Sequence, residues 1–132
     1  MEGKIIIVGA TGYTGSALAK LLKKENIGCH LIGRNESELQ KLANETGQSF
    51  SVCSNVSDEQ SVNESLSSIA NDKILGFAYC VGSIVLKSFQ TTKSEDFINT
   101  FNLNVTGAIL FIKKLQRQLA ENNGSIVLFS TV

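Results

Sequence analysis

The sequence predicts an α/β fold: a doubly wound parallel sheet with helices on both faces. Three observations carry this. Short runs rich in β-branched residues alternate with longer stretches whose apolar residues recur at helical spacing, the rhythm of a parallel sheet with crossover helices. The first run, Lys4-Ile5-Ile6-Ile7-Val8, is apolar almost throughout, as a strand buried on both faces should be. It leads without a gap into a turn that holds three glycines in seven residues, Gly9 to Gly15.

The elements follow in order. After the first strand, Gly15 to Glu25 carries Leu18, Leu21 and Leu22 at helical spacing. Cys29-His30-Leu31-Ile32 reads as the second strand. Glu36 to Glu45 sets Leu39, Leu42 and Ala43 on one helical stripe, and Gln48 to Cys53 alternates Phe50 and Val52 as a third strand. Ser57 is the expected N-cap of a helix marked by Val62, Leu66 and Ile69. Ile74 to Val81 is the fourth strand, ending at Gly82, and Ser83 to Gln90 is irregular. Ser94 caps a short helix through Phe97, Ile98 and Phe101. A separate long helix follows, about Leu103 to Glu121. Its apolar stripe of Val105, Ala108, Ile109, Ile112, Leu115 and Leu119 is broad enough to predict burial on two sides. Asn122-Asn123-Gly124 stops it, and Ser125 to Phe129 is the fifth strand. Right-handed crossovers, with a return past the first strand after the third, predict the order 3-2-1-4-5.

Composition bounds the function. At 132 residues the chain is one domain, residues 1–132, and 42% hydrophobic with 18% charged residues is ordinary for a globular chain. Twelve basic and twelve acidic residues cancel, so there is no electrostatic footprint for nucleic acid or an anionic membrane. No apolar run approaches a membrane span, and the start does not read as a signal peptide. Cys29, Cys53 and Cys80 are odd in number and far apart, and His30 is the single imidazole. That pattern argues against a zinc site and for buried, reduced thiols in the strands of a cytoplasmic protein.

The chemistry concentrates in Gly9-Ala10-Thr11-Gly12-Tyr13-Thr14-Gly15. Between a buried strand and an amphipathic helix, Gly9 permits the sharp turn. Gly12 lets a phosphate approach the backbone, and Gly15 lets the helix pack close to the sheet. The helix start presents free N–H groups and a positive dipole end to a pyrophosphate. This reads as dinucleotide binding in an NAD(P)-binding Rossmann fold, with Thr11 and Tyr13 beside the glycines. Where an NAD-binding loop usually carries an acid for the ribose hydroxyls, the second strand ends Ile32-Gly33-Arg34-Asn35. The planar fork of Arg34 suits a 2′-phosphate, so NADP(H) is the expected cofactor and NAD(H) the alternative; a solvated surface arginine is the competing reading.

On these motifs the chain resembles the short-chain dehydrogenase/reductase family, over its first five βα units and stopping before the sixth strand. The resemblance implies that Asn55-Val56 occupies the adenine side, where the family has Asp-Val. Tyr79-Cys80-Val81-Gly82 stands for the family's Asn-Asn-Ala-Gly near the ribose, with Gly82 retained. Asn104-Val105-Thr106-Gly107 is similar to the family's Asn-x-x-Gly, whose asparagine helps hold a proton-relay water. Gly124-Ser125-Ile126-Val127-Leu128-Phe129-Ser130-Thr131 is similar to its Gly-x-Ile-Val-x-x-Ser-Ser, which puts Thr131 at the catalytic serine. The GxxGxxG spacing matches extended and atypical members rather than TGxxxGxG.

The family's acid/base tyrosine stands four residues before a lysine, but here Tyr13 is followed at that distance by Ala17 and Tyr79 by Ser83. Both tyrosines are expected in cofactor-side turns. The resemblance thus implies an NADP(H)-dependent oxidoreductase acting on a small carbonyl or alcohol, with these residues alone inactive. The alternative is a non-catalytic NAD(P)-binding module. A homodimer or homotetramer is expected, joined by the long helix, through Ile112 and Leu119, or by edge pairing at the fifth strand.

Overall fold

β1 (Lys4–Val8) forms the centre of a five-stranded sheet in the order β3-β2-β1-β4-β5, all pairs parallel, as expected. The computed structural model describes residues 2–130. The other strands are β2 (Gly28–Gly33), β3 (Ser49–Val52), β4 (Ile74–Tyr79) and β5 (Ser125–Leu128). The chain moves outward from β1 to β3, crosses back to β4, and ends the sheet at β5. Such a reversal opens a crevice at the carboxyl ends of the central strands. In register, Ile7 sits between Leu31 and Ala78, and Val8 between Ile32 and Tyr79. Ile6, Ile7 and Val8 are wholly buried, which is why the run is apolar instead of alternating.

Two apolar layers flank the sheet. On one face α1 (Tyr13–Lys24) and α2 (Glu36–Thr46) bring Ala19, Leu22, Leu39 and Leu42 onto Ile7, Cys29 and Leu31. On the other, α3 (Glu59–Leu66) and α5 (Gly107–Glu121) bring Val62, Leu66, Phe111 and Leu115 onto Ile6, Val8, Ile32 and Phe77.

The helix termini differ from the sequence reading. α1 begins at Tyr13, not Gly15. Asp58, not Ser57, caps α3: its carboxylate accepts from the Ser61 N–H at 2.9 Å. Ser57 instead donates its N–H and hydroxyl to Asn55 Oδ1 (3.0 and 2.7 Å), closing the turn one residue earlier. α4 (Ser94–Phe101) has Lys93 at its N-cap, with Asp96 reaching back to accept the Lys93 N–H at 2.9 Å.

The predicted break between the short and long helices is absent. α4 continues through a π-helical turn, Asn102–Thr106, directly into α5. α5 buries a single stripe, Ala108, Phe111, Leu115 and Leu119, while Ile112 is half-buried and Val105 and Ile109 face outward. The expected burial on two sides is therefore found on one, and Leu119 belongs to the core, not to an outer helix face. β4 ends at Tyr79, two residues earlier than expected, and Tyr79 is a strand residue rather than part of a turn. Cys29 lies in a strand, but Cys53 and Cys80 each sit one residue past one; all three thiols are free. Every residue of β5 is exposed.

His30 is buried and has a full complement of partners. Ser51 Oγ donates to the Ser65 carbonyl at 2.5 Å, so it can only accept from His30, and the Nε2···Oγ distance is 2.8 Å. Nδ1 then accepts from the Ser49 hydroxyl at 2.7 Å. The neutral imidazole staples two alternate residues of β3 to β2. Burial, reinforced by the charge of Lys4 and opposed by Asp72, pushes its pKa down to about 4.

Candidate functional site

The glycine turn is shaped by main-chain contacts. Gly9 adopts a left-handed conformation (φ 79°), and the N–H groups of Gly9 and Ala10 both donate to the Ile32 carbonyl, at 2.9 and 3.1 Å. The turn leaving β1 is thereby pinned to the end of β2. Gly9 is also crowded from β4: a Cβ there would lie 2.8 Å from the Cys80 carbonyl group. Both demands require glycine.

Gly12 and Gly15 act differently. A Cβ on Gly15 would collide with the Gly9 carbonyl and come within 2.8 Å of Ala10 Cα, so Gly15 is what lets α1 lie against the turn. A Cβ on Gly12 would meet only Gly9 O, at an ordinary 3.4 Å, so the space in front of it is open. Gly12 is the N-cap of α1, no side chain caps the helix, and no acidic residue stands in its first turn. The first N–H groups of α1 and its positive dipole end are thus left facing the strand ends. Thr11 is half-buried beside them, and Tyr13 projects its ring outward at 95% exposure.

Arg34 follows β2 directly and is exposed, with no side-chain hydrogen bond or ion pair among the described residues. Its neighbour Asn35 caps α2, accepting from the Glu38 N–H at 3.0 Å, which fixes the backbone next to the guanidinium stem. After β3, Asn55 commits Oδ1 to Ser57, while Val56 is buried in the core beneath the turn.

At the β4 end, Gly82 lies against Asn104: a Cβ on Gly82 would sit 3.4 Å from Asn104 Oδ1. Asn104 grips the next residue by both ends of its amide, Oδ1 accepting from the Ser83 N–H at 2.9 Å and Nδ2 donating to the Ser83 carbonyl at 3.0 Å. Gly9, Thr11, Gly12, Tyr13, Gly15, Arg34, Asn55, Gly82 and Asn104 therefore gather in the turns that follow β1 to β4 or on the helix facing them. Thr131 lies outside the described residues. The sequence reading missed Ser83, and Tyr79, whose hydroxyl donates to the Leu103 carbonyl one residue before Asn104. Burial raises the pKa of Tyr79 far above its usual value, so the phenol keeps its proton near neutral pH, and burial also pushes the Cys53 and Cys80 thiols upward. A cavity of about 920 Å³ is at the opposite end of the sheet, lined by Asp72, Lys73, Lys114 and Gln118 among others. Ligands of doubly wound sheets bind at the carboxyl ends, where the glycine turn lies.

Comparison with known proteins agrees with this fold. A family model described as short chain dehydrogenase matches residues 3–132. The 3-oxoacyl-(acyl-carrier-protein) reductase FabG of Rickettsia typhi is 28% identical over 131 residues, covering 96% of this chain and 53% of that protein. Serine 3-dehydrogenase of Agrobacterium fabrum is 28% identical over 144 residues, covering all of this chain and 55% of that protein. The chain thus spans about half the length of the relatives it matches. Among solved structures, an actinorhodin polyketide ketoreductase with NADPH superposes with a TM-score of 0.90 at 17% identity, over 98% of this chain and 53% of that one. No helix among the described residues is long and apolar enough to cross a membrane.

Proposed function

The chain belongs to the short-chain dehydrogenase family, and on that premise we propose that it holds the cofactor of an oxidoreductase, NADP(H) in preference to NAD(H), for a small carbonyl or alcohol substrate. The observation that carries the preference is Arg34. It stands directly after β2 with no side-chain partner among the described residues, and neither it nor the strand-end Gly33 and following Asn35 is an acid that would hold ribose hydroxyls and repel a 2′-phosphate. The ketoreductase with NADPH that shares the fold supports the same reading.

The residues fit such a cofactor. The open space before Gly12 and the uncapped start of α1 would take the pyrophosphate, and Gly9 and Gly15 hold that cradle in shape. Thr11 and Tyr13 border it. Arg34 would pair with the 2′-phosphate, and Asn55 would flank the adenine, with Val56, buried in the core, supporting that turn from beneath. Gly82 and the Asn104–Ser83 clamp would define the wall at the ribose and nicotinamide. When bound, the nicotinamide supplies or takes up the hydride. Asn104 and Thr131 would then stand on the substrate side.

Within these 132 residues no tyrosine precedes a lysine by four positions, and Tyr79, buried and bonded to Leu103, is not placed to exchange protons with a substrate. That favours a second reading for these residues by themselves, an NAD(P)-binding module without turnover. Fluorescence titration of the chain with NADPH and NADH tests the proposal. Tighter binding of NADPH is expected, and no binding of either would overturn it. The exposed Ile126, Val127 and Leu128 of β5, with Ile109 on the outer side of α5, are apolar surface that a second copy would cover, which supports a homodimer or homotetramer.

A further inference from the structure

The helix that carries Asn104 is widened just there. The Gly107 N–H returns to the Asn102 carbonyl, five residues back, instead of to Leu103 as in an α-helix. The Leu103 carbonyl is released from that bond and accepts the Tyr79 hydroxyl. A Cβ on Gly107 would run into that same hydroxyl and press on Val56 Cγ2 at 3.0 Å, so the helix has its glycine where the tyrosine arrives. The Tyr79 ring is fixed from the other side by Phe77 and Phe111, with centroids 6.2 and 6.4 Å away. A backbone carbonyl can only accept, and burial keeps the phenol protonated, so the bond has one direction.

We propose that the Tyr79 hydroxyl is a positioning group for Asn104: by taking the carbonyl that the π turn releases, it holds that turn and keeps Asn104 against Ser83 at the end of β4. Each residue of an α-helix advances about 100° around the axis. α5 is anchored by Phe111, Leu115 and Leu119, so closing the π turn to an α turn would rotate the segment before it and carry Asn104 off Ser83. Asn104 acts at the cofactor wall only if the reading above is correct, and the proposal's importance for binding rests on it; the Tyr79–Asn104 linkage itself does not.

Tyr79→Phe keeps the ring and removes only the bond, so amide hydrogen exchange by NMR on the full chain separates positioning from packing. The Ser83 amide is expected to exchange about tenfold faster or more in this variant, while the amides of Ile7 and Leu31 keep their protection. Unchanged Ser83 exchange, or a rise only in step with Ile7 and Leu31, would overturn the proposal and leave Tyr79 as core packing. A second measurement needs no variant. In the unsubstituted protein the Tyr79 hydroxyl proton is expected as a slowly exchanging resonance with a nuclear Overhauser contact to the Gly107 α-protons; its absence would also overturn the proposal. With NADPH, Tyr79→Phe is expected to bind several-fold more weakly. Failure of the unsubstituted chain to bind any dinucleotide would overturn the cofactor reading alone, and the Ser83 exchange would still decide the role of Tyr79.

Discussion

Asn104 and Ser83, 21 positions apart, are joined by a two-bond clamp in which one side-chain amide satisfies both the N–H (2.9 Å) and the carbonyl (3.0 Å) of a single residue. The clamp ties the exit of β4 to the helix that crosses behind it. Asn104→Ala removes both bonds and is expected to cost roughly 1–2 kcal/mol of stability, at about 1 kcal/mol per net hydrogen bond. It is also expected to weaken NADPH binding several-fold. Asn104→Asp keeps the acceptor but sets a carboxylate oxygen against the Ser83 carbonyl oxygen in place of the donor, so its affinity should fall at least as far as that of Asn104→Ala. Fluorescence titration and denaturant unfolding of the three proteins check the order.

Gly12 and Gly15 separate folding from binding. Gly12→Val places its branched side chain in open space, so the protein should stay folded with dinucleotide binding abolished. Gly15→Ala drives a methyl group into the Gly9 carbonyl and Ala10 Cα, backbone atoms that yield little. A loss of roughly 1–3 kcal/mol in stability is expected there. Thermal unfolding and NADPH titration of both variants should give opposite patterns.

Arg34→Ala should weaken NADPH binding tenfold to a hundredfold, the worth of a charge-assisted contact of roughly 1.5–3 kcal/mol, and leave NADH binding nearly unchanged. Equal losses for the two cofactors would return Arg34 to the solvated surface.

The buried His30 predicts a pH dependence with a definite sign. Its pKa is pushed down to about 4 in the folded chain, against an ordinary 6.5. Above 6.5 the imidazole is neutral folded or unfolded, and no stability is lost. Between 6.5 and 4 the unfolded chain binds the proton and the folded chain does not, so stability falls with pH by up to roughly 3 kcal/mol in total. Urea unfolding at a series of pH values should show this slope, and His30→Phe should abolish it.

Assembly can be tested on the outward side of α5. Leu119 is buried in the core, so its replacement by a charge would unfold the chain instead of probing a contact. Ile109, 53% exposed, is the better position. Light scattering should show an assembly that Ile109→Glu weakens, and a monomer at high micromolar concentration of the unsubstituted chain would exclude that contact.

The sheet order and the location of the glycine turn are legible in the order of the residues. Both rest on short-range patterns: the uninterrupted Lys4–Val8 run, the amphipathic stretches after it, and glycines at 9, 12 and 15 whose backbone demands are local. Arg34 was legible for the same reason, since it follows a strand end directly. Which residue caps α3 depends on contacts in the folded chain: Asp58 and Ser57 are equally plausible in sequence, and Asn55 takes Ser57 for its own turn. The same holds for the continuity of Ser94–Glu121 as one helix, because a π turn has no composition signature and is supported by a hydroxyl from another element. The partners of Tyr79, His30 and Asn104 are 24, 19 to 21, and 21 residues away, distances at which periodicity carries no information and packing alone selects the contact.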